Sequence, residues 1–109
     1  MIQEESMFYK YETHLHTSEV SKCGVSTGVE MARAYKKAGY TGIFVTDHFV
    51  NGNCTISRKL PWDQQVHLMA RGYKNAKAEG KRLGLDVFFG WEYSHNPYAA
   101  DCLAGSIVY

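Results

Sequence analysis

A chain of 109 residues, with 45% hydrophobic and 21% charged residues, has the size and composition of one soluble domain. Its 14% aromatic content excludes a disordered chain, and its net charge of +1 makes nucleic acid and anionic membranes unexpected partners. No window approaches the ~20 apolar residues of a membrane span. The acidic N-terminus does not resemble a signal peptide, and the cysteines lack paired spacing, so we expect a cytoplasmic protein with reduced thiols.

The first half of the chain predicts a strand, a helix and a second strand. Residues 8–16, FYKYETHLH, are aromatic-rich and typical of an extended strand. Residues 26–39 predict a helix, because Thr27 and Glu30 fit a capping box. Residues 41–48 contain an unbroken apolar run, which indicates a strand buried on both faces of a parallel sheet.

The second half predicts one long helix and two further strands. Between Trp62 and Leu83, apolar residues recur at steps of three and four, as in an amphipathic helix. Residues 85–93 predict a third strand and residues 102–109 a fourth. The crossovers are long enough for parallel pairing, and right-handed crossovers would place the first three strands side by side. The predicted fold class is therefore α/β with a parallel sheet.

Histidine and glutamate side chains occur where three of the predicted strands end. The first strand ends in His14 and His16, the second in His48, and the third in Glu92. The carboxyl ends of parallel strands share one edge of the sheet, and residues two apart point to the same face, about 6.5 Å apart along the strand. Each motif alone also fits an ordinary surface residue. Their coincidence at three strand ends predicts a site where two imidazoles and a carboxylate share a metal ion.

These motifs resemble those of the polymerase and histidinol phosphatase (PHP) family of metal-dependent phosphoesterases. Residues 14–17 are similar to the HxHT motif of that family, and residues 43–48 are similar to its apolar strand that ends in TDH. Residues 90–92 are similar to its third motif, a glycine and a glutamate at the end of a strand. The resemblance implies a distorted (β/α)7 barrel. Residues 1–109 would form its first half, a single domain truncated after the fourth strand.

The resemblance also implies a site for two or three divalent ions, commonly zinc, manganese or iron. His14 and His16 would bind one ion, and Glu92 would bridge it to a second. His48 would belong to a third ion.

Two further residues would replace histidine or aspartate ligands of the family. Cys23 is the nearest plausible ligand after the first motif, and its alternative role is that of a small buried thiol in a loop. Asp101 would bind the second ion, and its alternative role is that of a capping or turn residue. Glu12 and Asp47 would orient the imidazole rings.

The function implied by the resemblance is hydrolysis of a phosphate ester of a small phosphorylated metabolite by metal-activated water. One alternative is a non-catalytic, self-associating metal-binding fragment. Another is a nuclease-type domain like those of bacterial replicative polymerases, which the absence of a basic track disfavours. Because the later motifs of the family have no counterpart, we expect weak or no turnover by this chain alone. An open half-barrel would need a second copy or the remainder of a longer chain to cover it.

Overall fold

The computed structural model describes residues 8–94 and 106–108. Its elements, in chain order, are β1 (Tyr11–Glu12), α1 (Gly28–Lys37), β2 (Gly42–Val45), α2 (Trp62–Met69), α3 (Arg71–Leu83), β3 (Asp86–Phe89), β4 (Glu92–Ser94) and β5 (Ser106–Val108). The first three strands form a parallel sheet in the order β1-β2-β3, which confirms the predicted arrangement. Within the described part of the chain, no helix combines the length and the apolar character needed to cross a membrane.

The predicted third and fourth strands differ from the observed ones. Gly90 and Trp91 separate β3 from β4, although the Gly90 N–H still donates to the carbonyl of Val45 at 2.9 Å. β4 pairs antiparallel with β5, so the last strand does not extend the parallel sheet. The α/β class with a parallel three-stranded sheet is therefore observed, and the barrel stays a prediction.

Helix α1 begins and ends as its sequence predicts. The Thr27 hydroxyl accepts the Glu30 N–H at 3.1 Å, and the Glu30 carboxylate accepts the Thr27 N–H at 2.9 Å, which completes the capping box. After the last turn, Gly39 adopts φ 89°, a left-handed conformation that glycine takes without a steric penalty.

The single long helix predicted from Trp62 to Leu83 is divided into α2 and α3. Ala70, with φ −87° and ψ 1°, ends α2 and precedes α3. The two segments pack against different partners. Met69 of α2 contributes to a small apolar cluster with Val20 and Val50, whereas α3 contacts α1 and β3.

The parallel sheet has one face covered by helices and one face that is partly open. The covered face and helices α1 and α3 enclose the main core, which consists of Leu15, Ala32, Ile43, Val45, Ala76, Leu85 and Val87. The open face carries the rings of Tyr11, Phe44 and Phe88, which contact one another at centroid distances of 4.8 to 6.5 Å. Tyr11 is 42% and Phe88 41% exposed. This division follows from the alternation of side chains along each strand.

Candidate metal centre

Hydrogen bonds join the segments that directly follow β1, β2 and β3. The Thr46 N–H donates to the carbonyl of Leu15 at 2.8 Å, and the Leu15 N–H donates to the Thr46 hydroxyl at 2.9 Å. On the other side, the Glu92 N–H donates to the carbonyl of Asp47, and the Phe49 N–H to the carbonyl of Glu92, both at 2.9 Å. These bonds fix the register of the strand ends, so the predicted ligand residues meet at one edge.

The first group of donor atoms consists of His14, His16 and Glu92. The Nε2 atoms of His14 and His16 lie 2.9 Å and 2.7 Å from the same carboxylate oxygen, Oε1 of Glu92, and 3.3 Å from each other. Leu15, between the two histidines, points into the core and is 3% exposed. The side chain of His14 is 49% exposed and that of Glu92 only 6%. The group is therefore anchored in the interior and open to solvent on one side.

A second group consists of His16, Cys23 and His48. The Cys23 Sγ lies 3.2 Å from Nδ1 of His16, and the rings of His16 and His48 are 4.4 Å apart between centroids. Nδ1 of His48 is 3.8 Å from Oε1 of Glu92. The two groups therefore share His16, which presents Nε2 to the carboxylate and Nδ1 to the thiol. Cys23 is exposed, so the alternative role of a small buried thiol is wrong.

The loop that carries Cys23 is attached to two helices through Glu19. Its carboxylate accepts the Gly28 N–H at 3.0 and 3.1 Å and the Asn75 amide at 2.9 Å. Its backbone carbonyl accepts the guanidinium of Arg71. Helices α1 and α3 therefore hold the loop in place.

The carboxylate of Glu92 carries its charge in a largely buried position. Burial by itself raises the pKa of Glu92, but hydrogen bonds with His14 and His16 and the nearby His48 lower it more, so that the pKa lies below its ordinary value. The ionised carboxylate is the form that can ligate a metal ion.

The other two carboxylates near the site accept hydrogen bonds from backbone and hydroxyl groups. Glu12 accepts the backbone N–H of His14 and the hydroxyl of Tyr35, both at 3.2 Å. Asp47 accepts the N–H and the hydroxyl of Thr17, and burial raises its pKa although these bonds lower it. Among the described residues both therefore bond to backbone and hydroxyl groups rather than to imidazole nitrogens, and the prediction that they orient the imidazole rings stays a prediction.

The partners of Asp47 could not all be found from the sequence. Thr17 directly follows His16, the second histidine of the first motif, and this position in the sequence indicates that it lies near the site. Ser21, which also donates to Asp47, has no such signal, because its position depends on the path of a loop. Asp101 lies outside the described residues, so its predicted role as a ligand stays a prediction.

Comparisons with known proteins show what this fold is similar to. No family model and no curated protein matches the sequence. A crystal structure of a "putative metal-dependent phosphoesterase" from Bifidobacterium adolescentis aligns with 92% of this chain at a TM-score of 0.56 and 20% sequence identity. The chain spans 26% of the length of that protein. The similarity shows that the two share a fold over this region.

Proposed function

We propose that this chain carries metal ligands of a PHP-type phosphoesterase that hydrolyses a phosphate ester of a small metabolite. The observation that carries the proposal is the convergence of His14 Nε2, His16 Nε2 and Glu92 Oε1 at a half-open position. The order of the three sequence motifs supports it, as does the structural similarity to a protein named as a metal-dependent phosphoesterase.

The donor atoms of the first group fit a divalent ion. Zinc–nitrogen bonds of about 2.0–2.1 Å at a tetrahedral angle place two nitrogens about 3.3 Å apart, and the two Nε2 atoms are 3.3 Å apart. Their distances of 2.9 and 2.7 Å to Oε1 of Glu92 are shorter and would lengthen on binding a tetrahedral ion. Two imidazoles and a carboxylate are a common ligand set for zinc, iron and manganese.

The second group offers a softer set of donors. A cysteine thiolate binds zinc well, and two imidazoles complete a set of three ligands. Cys23 and His48 would therefore hold the ion that the resemblance implies as the third, and His16 belongs to both groups of donor atoms. Asp101 stays a predicted ligand beyond the described residues.

A divalent ion at this edge would supply a Lewis acid for a phosphoryl oxygen and would lower the pKa of a water molecule. The residues of the chain determine which side of the site is buried and which side is open to solvent. Glu92 and His48 lie on the buried side, and the 49% exposure of the His14 side chain leaves an approach from solvent. Catalytic sites keep such an open position, whereas structural zinc sites are closed by four protein ligands.

Two other functions are separable by experiment. A non-catalytic metal-binding module would use the same residues without turnover. A nuclease-type domain would act on DNA, and the net charge of +1 offers little to hold a phosphate backbone.

The test combines metal titration with two substrates. The purified chain is titrated with manganese and zinc by calorimetry and then assayed on p-nitrophenyl phosphate and on a single-stranded oligonucleotide. His16→Ala should abolish binding and any turnover, and His67→Ala, an exposed histidine of α2, should change neither. Binding with slow, His16-dependent phosphomonoester hydrolysis supports the proposal. Binding without turnover agrees with the proposed ligands but does not separate the proposal from a non-catalytic module, since weak or no turnover is expected of this chain alone. Hydrolysis of DNA alone favours the nuclease, and no binding contradicts all three.

A further inference from the structure

We propose that Asp47 is a positioning residue that fixes His16 and His48 relative to each other through Thr17 and Ser21. The inference rests on the proposed metal-binding function, because it names what holds two of the ligands in place. The inference concerns the buried carboxylate of Asp47, which is not one of the proposed metal ligands.

The first connection joins the residue after one imidazole to the residue before the other. Thr17 follows His16, and Asp47 precedes His48. The backbone N–H of Thr17 donates to Oδ1 of Asp47 at 2.5 Å, and its hydroxyl donates to Oδ2 at 2.7 Å. One carboxylate therefore accepts both the N–H and the hydroxyl of Thr17, which restricts how far the two strand ends can move apart.

The second connection runs through Ser21. Its hydroxyl donates to Oδ1 of Asp47 at 2.8 Å and accepts the backbone N–H of His48 at 3.0 Å. The carboxylate thus reaches the backbone of His48 from a second direction. Thr17, Ser21 and Asp47 are each at most 1% exposed, so water does not compete for these bonds.

Helix α3 supports this network from the covered side of the sheet. A Cβ atom at Gly72 would overlap the Thr17 hydroxyl and would lie 2.9 Å from Oδ2 of Asp47. The helix can pack this closely only because residue 72 is glycine. Asp47 faces helix α3, whereas the ring of the next residue, His48, lies 4.4 Å from that of His16 between centroids. Asp47 therefore acts by fixing the backbone beside His16 and His48 and not as a metal ligand.

The experiment uses two matched pairs of variants. Thr17→Val removes the hydroxyl with little change of shape, and Thr17→Ser keeps it. Gly72→Ala inserts a methyl group into the network. Gly80→Ala inserts one elsewhere in α3, where it would meet Leu85 and Val87 at 2.7 Å.

Two readouts are measured for each variant: the zinc dissociation constant, and the nuclear Overhauser effect between the His16 and His48 rings in the metal-free protein. Thr17→Val and Gly72→Ala should weaken zinc binding about tenfold, in the range known for groups that orient metal ligands, and should weaken the ring contact. Thr17→Ser and Gly80→Ala should match the wild type in both. Comparing Gly72→Ala with Gly80→Ala separates positioning from a general loss of stability.

Wild-type zinc affinity and an unchanged ring contact in both Thr17→Val and Gly72→Ala would overturn the inference. Should the wild type bind no zinc while the ring contact weakens only in those two variants, the proposed function fails and the positioning role stands.

Discussion

Asp47 and Glu92 are two buried carboxylates at neighbouring strand ends with different surroundings. Asp47 is 1% and Glu92 5% exposed. The partners of Asp47 are a backbone N–H and two hydroxyls, and burial raises its pKa. Glu92 faces imidazole rings, and its pKa is lowered although burial opposes the shift. The comparison teaches that the chemistry of the partners, more than the depth of burial, separates a carboxylate that supports the fold from one suited to a metal ion.

The largest expected effect is the loss of metal binding on Glu92→Gln. The amide keeps the size of the side chain but removes the negative charge that two imidazoles and a cation would share. We expect zinc and manganese affinity to fall at least about 100-fold, beyond the effect of most outer groups. Titration calorimetry measures it, and an unchanged affinity would show that Glu92 is not a ligand.

Asp47→Ala should have its main effect on folding. It removes the acceptor of three buried donors, and an unsatisfied buried group costs about 1–3 kcal/mol. We expect the free energy of unfolding to fall by about 3 kcal/mol in urea denaturation. Glu92→Gln should cost less than Asp47→Ala, because His14 gives that site partial access to water. The reverse order of stabilities would contradict the division between the two carboxylates.

The open face of the sheet predicts association. The rings of Tyr11, Phe44 and Phe88 contact one another on this face, and Tyr11 and Phe88 are 42% and 41% exposed. We expect a dimer or larger assembly at micromolar concentration by light scattering, and Phe88→Glu should shift it towards monomer. Val25→Glu, at a position that is 92% exposed outside this face, is the control. A wild-type monomer would show that this face needs no second copy.

A third carboxylate gives the smallest effect and tests the role of partner chemistry away from the site. Glu79 binds Arg33 at 2.7 Å and Arg82 at 2.6 Å, and these bonds lower its pKa from 4.5 to about 2. A lowered pKa in the folded state means that its stabilising effect is present above pH 4.5 and is lost as the pH falls towards 2. In Glu79→Gln the stability against unfolding should depend less on pH between 4.5 and 2 than in the wild type. Thermal unfolding at several pH values would measure this. An identical profile in the variant would contradict the pKa assignment.

Much of the sheet and of the ligand edge could be predicted from the sequence. The capping box of Thr27 and Glu30, the apolar run at 43–45 and the alternation about Leu15 are local patterns with direct structural consequences. The parallel order of β1, β2 and β3 followed from crossover length and handedness. The meeting of His14, His16 and Glu92 then followed from strand direction.

Other features depend on contacts between distant segments. The division of the long helix at Ala70 reflects separate packing of α2 and α3, while the apolar spacing continues through it. The antiparallel pairing of β4 with β5 has no local signal. The bonds from Thr17 and Ser21 to Asp47, and the space that Gly72 leaves for them, arise only when a loop, a strand end and a helix come together.

The metal content of the purified chain tests the central claim most directly. Wild-type protein and a His14→Ala/His16→Ala double variant are dialysed against zinc or manganese, freed of loosely bound ions and measured by elemental analysis. The proposed centre predicts about one ion or more per wild-type chain and a loss of bound metal in the double variant. Wild-type protein that is folded and holds no metal, with both histidines intact, would contradict it.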